Sequence, residues 1–139
     1  NEEELRSRYE ILVEQYANTM NIELNLLVEL FKTEILPAAL EDQKNRAESL
    51  KALGVKEEAQ SESLQNLVSF IKKAIESVEA LEKAQLQTQG LGWEAKARVF
   101  CELIAPKMKQ AREDVDRLET IVDSRLWPLA KYKEILFSS

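Results

Sequence analysis

The apolar residues in the first third of the chain recur every three or four positions, which is the repeat of one helix face. This stripe begins at Leu5, extends to Ile35 and resumes beyond Pro37. Because Pro37 has no backbone N–H and its ring crowds the preceding turn, we expect a kink or a split next to it. Gly54 suits the left-handed position that ends a helix. The pattern therefore predicts a first helix over residues 3–53.

A strict heptad repeat occupies the middle of the chain. Its apolar residues alternate steps of three and four positions, and they are Leu64, Leu67, Ile71, Ala74, Val78 and Leu81. The chain then reaches Gly90-Leu91-Gly92, where two closely spaced glycines favour a turn. The pattern predicts a second helix from about residue 56 to residue 88.

A third apolar stripe begins at Trp93 and continues to Val122 with the same spacing, so we expect a helix over residues 93–124. Pro106 lies inside this stripe and should produce a local kink. The remaining segment is richer in apolar and aromatic side chains than any other part of the chain. It predicts a short fourth helix over residues 129–137.

These elements predict one all-α domain that covers residues 1–139. The two glycine-containing connections turn the chain back on itself, so the predicted architecture is an elongated antiparallel helical bundle of three long helices plus a short C-terminal helix. Because the first helix is much longer than the second, its residues 3–25 need other cover. The candidates for that cover are the C-terminal segment, another domain or another subunit.

The composition narrows the chemistry that such a domain can perform. The 139 residues include 3 Gly, 1 Cys and no His. Without histidine, Ser-His-Asp and Cys-His catalytic groups, His-containing zinc sites and Glu-x-x-His di-iron sites are excluded. The sequence also has no Gly-rich phosphate loop. We therefore predict no catalytic, cofactor-binding or metal-binding residue in this chain.

The charged residues of both signs are interleaved, and the formal net charge is −6. Such a surface disfavours nucleic acid and anionic membranes as partners. Pairs of acidic residues, such as Glu79 and Glu82, lie beside the apolar stripes, where a solvated face is expected. The lone cysteine, Cys101, has no basic neighbour closer than Arg98 and is expected to be a buried, unreactive thiol.

The compartment is indicated by the N-terminus and the cysteine content. The chain starts with Asn-Glu-Glu-Glu, without an initiating Met and without the apolar run of a signal peptide. No other segment approaches the ~20 apolar residues that span a bilayer, and one cysteine cannot form an internal disulfide. We expect an excised fragment of a cytoplasmic protein.

The two ends of the sequence resemble one family. The N-terminal block consists of Arg8-Tyr9-Glu10, Tyr16, Asn21-Ile22-Glu23 and Ile35-Leu36-Pro37-Ala38. The C-terminal block consists of Leu118-Glu119, Val122-Asp123, Leu126-Trp127-Pro128-Leu129, Tyr132 and Leu136-Phe137. In this order the blocks resemble the C-terminal helical domain of type III glutamine synthetases, while residues 41–89 match that family only in helical character.

The resemblance implies a parent enzyme, a cytoplasmic glutamate–ammonia ligase of stacked hexameric rings that uses ATP and Mg or Mn. In that family the ligands of ATP, metal and glutamate lie upstream, so we expect this chain to be inactive alone and to bind no cofactor. Its expected partners are the catalytic domain of the same chain and the other subunits of a homo-oligomer. The candidate packing or interface residues are Tyr9, Tyr16, Trp127, Pro128, Tyr132, Leu136 and Phe137.

Two other functions stay open on the residues alone. The heptad seam of the second helix favours a free-standing coiled-coil or helical-bundle module that binds a partner helix. A weaker alternative is a helical ligand sensor with a pocket around Tyr16 and Trp93. A gene that encodes only these residues, with its own start codon, would favour the module. Thermal stabilisation of the chain by a ligand would favour the sensor.

Overall fold

The computed structural model describes residues 1–54 and 57–127, and all regular structure in this part of the chain is helical. The α-helices are α1 (Glu2–Leu30), α2 (Leu36–Leu53), α3 (Glu58–Leu86), α4 (Trp93–Val99) and α5 (Ala105–Ile121). Two π-helical turns, Phe31–Ile35 and Phe100–Ile104, join α1 to α2 and α4 to α5. The predicted all-α class is confirmed. The short helix predicted over residues 129–137 lies outside the described residues.

The two prolines within helical runs, Pro37 and Pro106, do not interrupt them. Pro37 and Pro106 each come two residues after a π-helical turn. In the first turn the backbone N–H of Leu36 donates to the carbonyl of Phe31, five residues back instead of four, and the turn before Pro106 has the same bond. The extra residue widens the helix where the proline lacks a donor and its ring crowds the preceding turn. The expected kink or split is therefore a local widening within a continuous helical run.

The helix ends follow local capping, with one exception. Asn1 accepts the backbone N–H of Glu4 through its Oδ1 at 3.0 Å, which caps the start of α1. Gly54 ends α2 in the left-handed conformation, with φ of 67°, as predicted. The exception is α5, which ends at Ile121, so the prediction of a helix to residue 124 is wrong. Side chains of α2 form hydrogen bonds with backbone groups at the end of α5.

One hydrophobic core lies between α3 and the two other helical runs. Each π-helical turn places a Phe and an Ile in this core. The first residue of the heptad seam, Leu64, is half-buried, and the remaining seam residues are buried: Leu67, Ile71, Ala74, Val78 and Leu81. The seam is therefore occupied by contacts within the chain.

Polar and aromatic contacts show how the helices pass one another. Along α3 and the α1–α2 run, residue numbers change in opposite directions, and the contacting pairs are Lys32 with Glu82 and Arg46 with Ser63. Along α1 and the α4–α5 run, residue numbers rise together, and the contacting pairs are Tyr16 with Phe100 and Glu23 with Arg112. Thus α3 runs opposite to both of the helical runs that it contacts.

Replacing Ile71 by alanine tests the contribution of the seam. Ile71 is 4% exposed, so Ile71→Ala should lower the free energy of unfolding by ~2–5 kcal/mol, because it removes buried methyl groups and leaves a cavity. The measurement is urea unfolding followed by circular dichroism. The control is Val68→Ala on the same helix, where the side chain is 44% exposed and the loss should be about 0.5 kcal/mol. Equal losses would contradict the observed burial of the seam.

Candidate functional site

The residues predicted to form an interface fall into two groups. Tyr9 and Tyr16 lie on α1 and are 55% and 42% exposed. Trp127, beyond the end of α5, is half-buried against the core, and its indole Nε1 is buried without a hydrogen-bond partner among the described residues. The remaining members lie outside the described residues: Pro128, Tyr132, Leu136 and Phe137.

Tyr16 lies where α1 meets the second π-helical turn. Its ring packs edge-on against Phe100, with the centroids 6.4 Å apart and the planes at 75°. Burial raises the pKa of the Tyr16 hydroxyl above its ordinary value, and the neighbouring Cys101 and Glu23 raise it further. Tyr16, which the sensor hypothesis places at a pocket, is thus in contact with the core on one side of its ring.

Cys101 is exposed, so the prediction of a buried thiol is wrong. It directly follows Phe100, which is fully buried. Because successive residues on a helix point about 100° apart, a residue next to a core residue is turned toward the side of the helix. The position of Cys101 next to Phe100 in the apolar stripe therefore indicates exposure, and not burial.

An unusual concentration of exposed apolar side chains lies on α1. Eleven large apolar residues are exposed in residues 1–54 and 57–127, and seven of them belong to this helix. We call these seven the α1 apolar face: Leu5, Tyr9, Ile11, Leu12, Tyr16, Ile22 and Leu26. Exposed patches of this kind on soluble proteins mark interaction surfaces more often than single exposed residues do.

The first half of α1 is covered on another side by α4. Arg6 pairs with Glu94 at 3.4 Å, and Lys96 pairs with Glu14 at 3.5 Å. These pairs are exposed or partly exposed, so each contributes less than about 1 kcal/mol. The need for additional cover over residues 3–25 is thus met in part by α4, while the α1 apolar face stays open.

A buried polar network joins α2, α3 and the end of α5. Asp42 is 5% exposed and accepts two hydrogen bonds from the Arg46 guanidinium, at 3.0 and 3.2 Å. Arg46 also donates to the Ser63 hydroxyl at 2.9 Å and to the carbonyl of Ile121 at 2.6 Å. The backbone N–H of Asp123 donates to Asp42 Oδ2 at 3.2 Å. The network thereby satisfies backbone groups at the end of α5 and fixes where that helix stops.

Sequence reasoning missed this network because it assigned charged residues to solvated helix faces. The available signal is the spacing of Asp42 and Arg46, which are four residues apart and therefore lie on one helix face. Next to the network, the pKa of Asp123 is held below its ordinary value by side-chain and backbone hydrogen bonds from Arg125. This second pair is at the surface of the molecule.

A second buried carboxylate, Asp114 on α5, is also 5% exposed. It accepts hydrogen bonds from the Ser77 hydroxyl of α3 and the Gln110 amide of α5. An open groove of about 400 Å³ follows α3 and α5 past this carboxylate, and the cations that line it are Lys73, Lys107 and Arg117. These cations place positive charge around Asp114, and the groove is accounted for by the packing of the two helices.

The described acidic residues do not assemble into a metal site. In residues 1–54 and 57–127, no three acidic or thiol side chains come together as metal ligands do. Glu79, for example, is exposed, and Glu82 forms an ion pair with Lys32 at 2.9 Å. No helix in this part of the chain is long and apolar enough to cross a membrane.

The Asp42 network should contribute measurably to stability. Asp42→Asn keeps the size of the side chain but removes the charge opposite Arg46, so we expect a loss of about 2 kcal/mol in the free energy of unfolding. The matched control is Glu48→Gln, which alters an exposed pair with Lys44 on the same helix and should cost less than about 0.5 kcal/mol. Urea unfolding of both variants decides the matter, and equal effects would argue against the network.

The raised pKa of Tyr16 predicts a pH dependence. The folded state disfavours the phenolate, so the contribution of this group to stability is complete below pH 10.0, its ordinary pKa, and is lost as the pH rises through the folded pKa. Tyr16→Phe should therefore reduce the fall in the urea midpoint between neutral pH and pH values above 10.0. An identical fall in both proteins would show that Tyr16 titrates normally.

The chain is similar to a family model and to two curated glutamine synthetases. The model of the glutamine synthetase C-terminal domain family matches residues 1–54, which contain α1, the first π-helical turn and α2. A type-3 glutamine synthetase of Dictyostelium discoideum is 36% identical over 144 residues, which cover 96% of this chain and 20% of the relative. A glutamine synthetase of Bacteroides fragilis is 28% identical over 148 residues, which cover 99% of this chain and 20% of the relative.

These similarities extend beyond the two terminal blocks that carry the resemblance in the sequence. The similarity covers 96% of the chain and so includes residues 41–89. The chain spans about one fifth of the length of the curated relatives that it matches. The resemblance to type III glutamine synthetases is confirmed, by a match to the glutamine synthetase C-terminal domain model over residues 1–54 and by similarity to a type-3 glutamine synthetase over 96% of the chain.

Proposed function

We propose that this chain is the non-catalytic, helical C-terminal domain of a glutamine synthetase-like enzyme. The whole enzyme would join ammonia to glutamate in the cytoplasm, with ATP and Mg or Mn, as a homo-oligomer. The support comes from the family match and from relatives that are about five times as long and are named glutamine synthetases. The role of the domain itself would be structural, through packing against the catalytic domain or other subunits.

The observation that carries this proposal is the use of the buried polar groups. Asp42 and Asp114 are buried, and each is engaged by side chains of the chain itself, Asp42 by Arg46 and Asp114 by Ser77 and Gln110. Such groups position helices. Because the described acidic residues do not offer a set of metal ligands, they do not fit the Mg or Mn that the family implies. We assign these ions, ATP and the chemistry to the rest of the enzyme.

The shape that suits this role is an elongated antiparallel helical bundle. In favour of this arrangement, α3 runs opposite to the α1–α2 run, as the Lys32–Glu82 and Arg46–Ser63 contacts indicate. The α1–α2 run contains 52 residues, from Glu2 to Leu53, and would be roughly 78 Å long if straight. A rod of this kind can hold distant parts of an assembly together without contributing to a reaction.

The alternative function, a free-standing module that binds a partner helix, depended on the heptad seam of α3. That seam is buried in the core of the chain, so it does not offer a partner helix an apolar surface. A coiled-coil partner would have to displace α1 or α5, which costs the contacts that the seam already makes. In the proposed structural domain, the seam keeps its contacts with α1 and α5.

Assays of the isolated chain and of the whole enzyme test the proposal. Residues 1–139 alone should form no glutamine from glutamate, ammonia and ATP in the presence of Mg, while the whole enzyme should form it, because the reacting groups lie upstream. Glutamine is measured directly by chromatography, and circular dichroism checks that the isolated chain is helical. The control is a mock preparation from the same host. Glutamine formation by the isolated chain above the mock level would refute the non-catalytic assignment.

A further inference from the structure

We infer that the α1 apolar face is the docking surface for the part of the enzyme that lies upstream of this domain. This inference rests on the proposed function, since it requires that the chain be one domain of a longer enzyme. The partner would be an apolar surface of that upstream part, with a basic rim. The contact would hold the helical domain against the catalytic body.

The exposed apolar residues of α1 include one regularly spaced row. Leu5, Tyr9, Leu12 and Tyr16 follow one another at steps of four, three and four, which places them in one row along the helix. The other members lie on a neighbouring side of the helix, where Gln15 and Asn18 stand between Ile11 and Ile22, and Leu26 is one turn further. The unbroken row from Leu5 to Tyr16 extends along roughly 17 Å of helix, which suits the contact of one packed element on another.

The α1 apolar face differs from the exposed surface of the other described helices. Elsewhere in the described residues the exposed large apolar side chains are scattered over two other helices, and they are Leu40, Leu53, Val68 and Leu86. Scattered residues of this kind are normal on soluble proteins, whereas a contiguous patch marks a contact. The acidic first turn, Glu2, Glu3 and Glu4, borders the α1 apolar face and complements a basic rim on the partner.

The C-terminal segment is short in comparison with the distance between the two ends of the α4–α5 run. The end of α5 lies beside Arg46, while the start of α4 lies beside Arg6. Residues 93–121 separate these two levels by about 43 Å if straight, and a helix over residues 129–137, as the sequence predicts, would measure only about 14 Å. A crosslink from position 12 to residues 128–139 of the same chain would overturn the inference.

The part that covers the α1 apolar face, by this inference, is the upstream part of the enzyme. The matched family is a C-terminal domain, and the chain covers 20% of each relative, so most of such an enzyme precedes this domain. The chain would enter α1 next to Leu5, which places the upstream part close to the α1 apolar face. A tethered partner has a high effective concentration and pays less entropy for docking than a separate molecule does.

The test uses the whole enzyme and two matched single-cysteine replacements. Leu12→Cys lies in the α1 apolar face and Leu86→Cys lies at the end of α3; the native leucines are 59% and 65% exposed in the domain. If the face is covered by the upstream part, the thiol at position 12 should react with a maleimide at least about tenfold more slowly than the thiol at position 86. Peptide mass spectrometry reads each site separately from Cys101. Equal rates in the native enzyme would overturn the inference.

A photo-reactive amino acid in place of Leu12 identifies the occupant. Crosslinks to peptides upstream of residue 1 support the inference, while crosslinks only to residues 1–139 of a second copy overturn it. Glutamine formation is measured on the same preparations. A fully active enzyme with an open face contradicts the docking surface alone, whereas a whole enzyme without glutamine formation contradicts the proposed function, whatever the labelling rates are.

Discussion

The structure depends on α3 burying one face against two helical runs at the same time. Its seam combines large residues, such as Leu67 and Ile71, with a fully buried small one, Ala74. Small residues let neighbouring backbones approach, and large residues fill the space between them at the density of a protein interior. Because both neighbours contact the same narrow seam, the positions of the α1–α2 run and of the α4–α5 run are coupled through α3.

The buried polar groups add position to this apolar packing. Moving Asp42 and Arg46 out of water is unfavourable, and their hydrogen bonds offset that cost only in one geometry. Since the same groups hold the carbonyl of Ile121 and the N–H of Asp123, the geometry sets the point where the chain leaves α5. Trp127, a few residues beyond this point, packs against the core. Because removing one partner leaves the other buried and uncompensated, the network favours this one arrangement of the helix ends.

Much of the fold is predictable because helix periodicity and Gly54 are local signals, and the bounds of α1–α2 and α3 agree with them within two residues. The end of α5 is not predictable in this way, because it is decided by Asp42 on a distant helix. The exposure of Tyr9 and Tyr16 was also outside local reasoning, which identified the stripe but not the number of helices that cover it. Whether these tyrosines form an interface stays a prediction.

The π-helical turns also had a signal in the sequence. The buried residues Phe31, Ile35 and Ala39 follow at two consecutive steps of four, where an α-helix alternates three and four. In a regular α-helix one additional residue would rotate everything after it by about 100° about the helix axis, and the wider π-helical turn absorbs most of that rotation. The first turn therefore keeps the angular phase between α1 and α2. Removing one residue from it would restore regular α-helix while α2 keeps its orientation and Asp42 stays directed at the end of α5. A single-residue deletion should therefore be tolerated better in this turn than in the regular helix on either side of it.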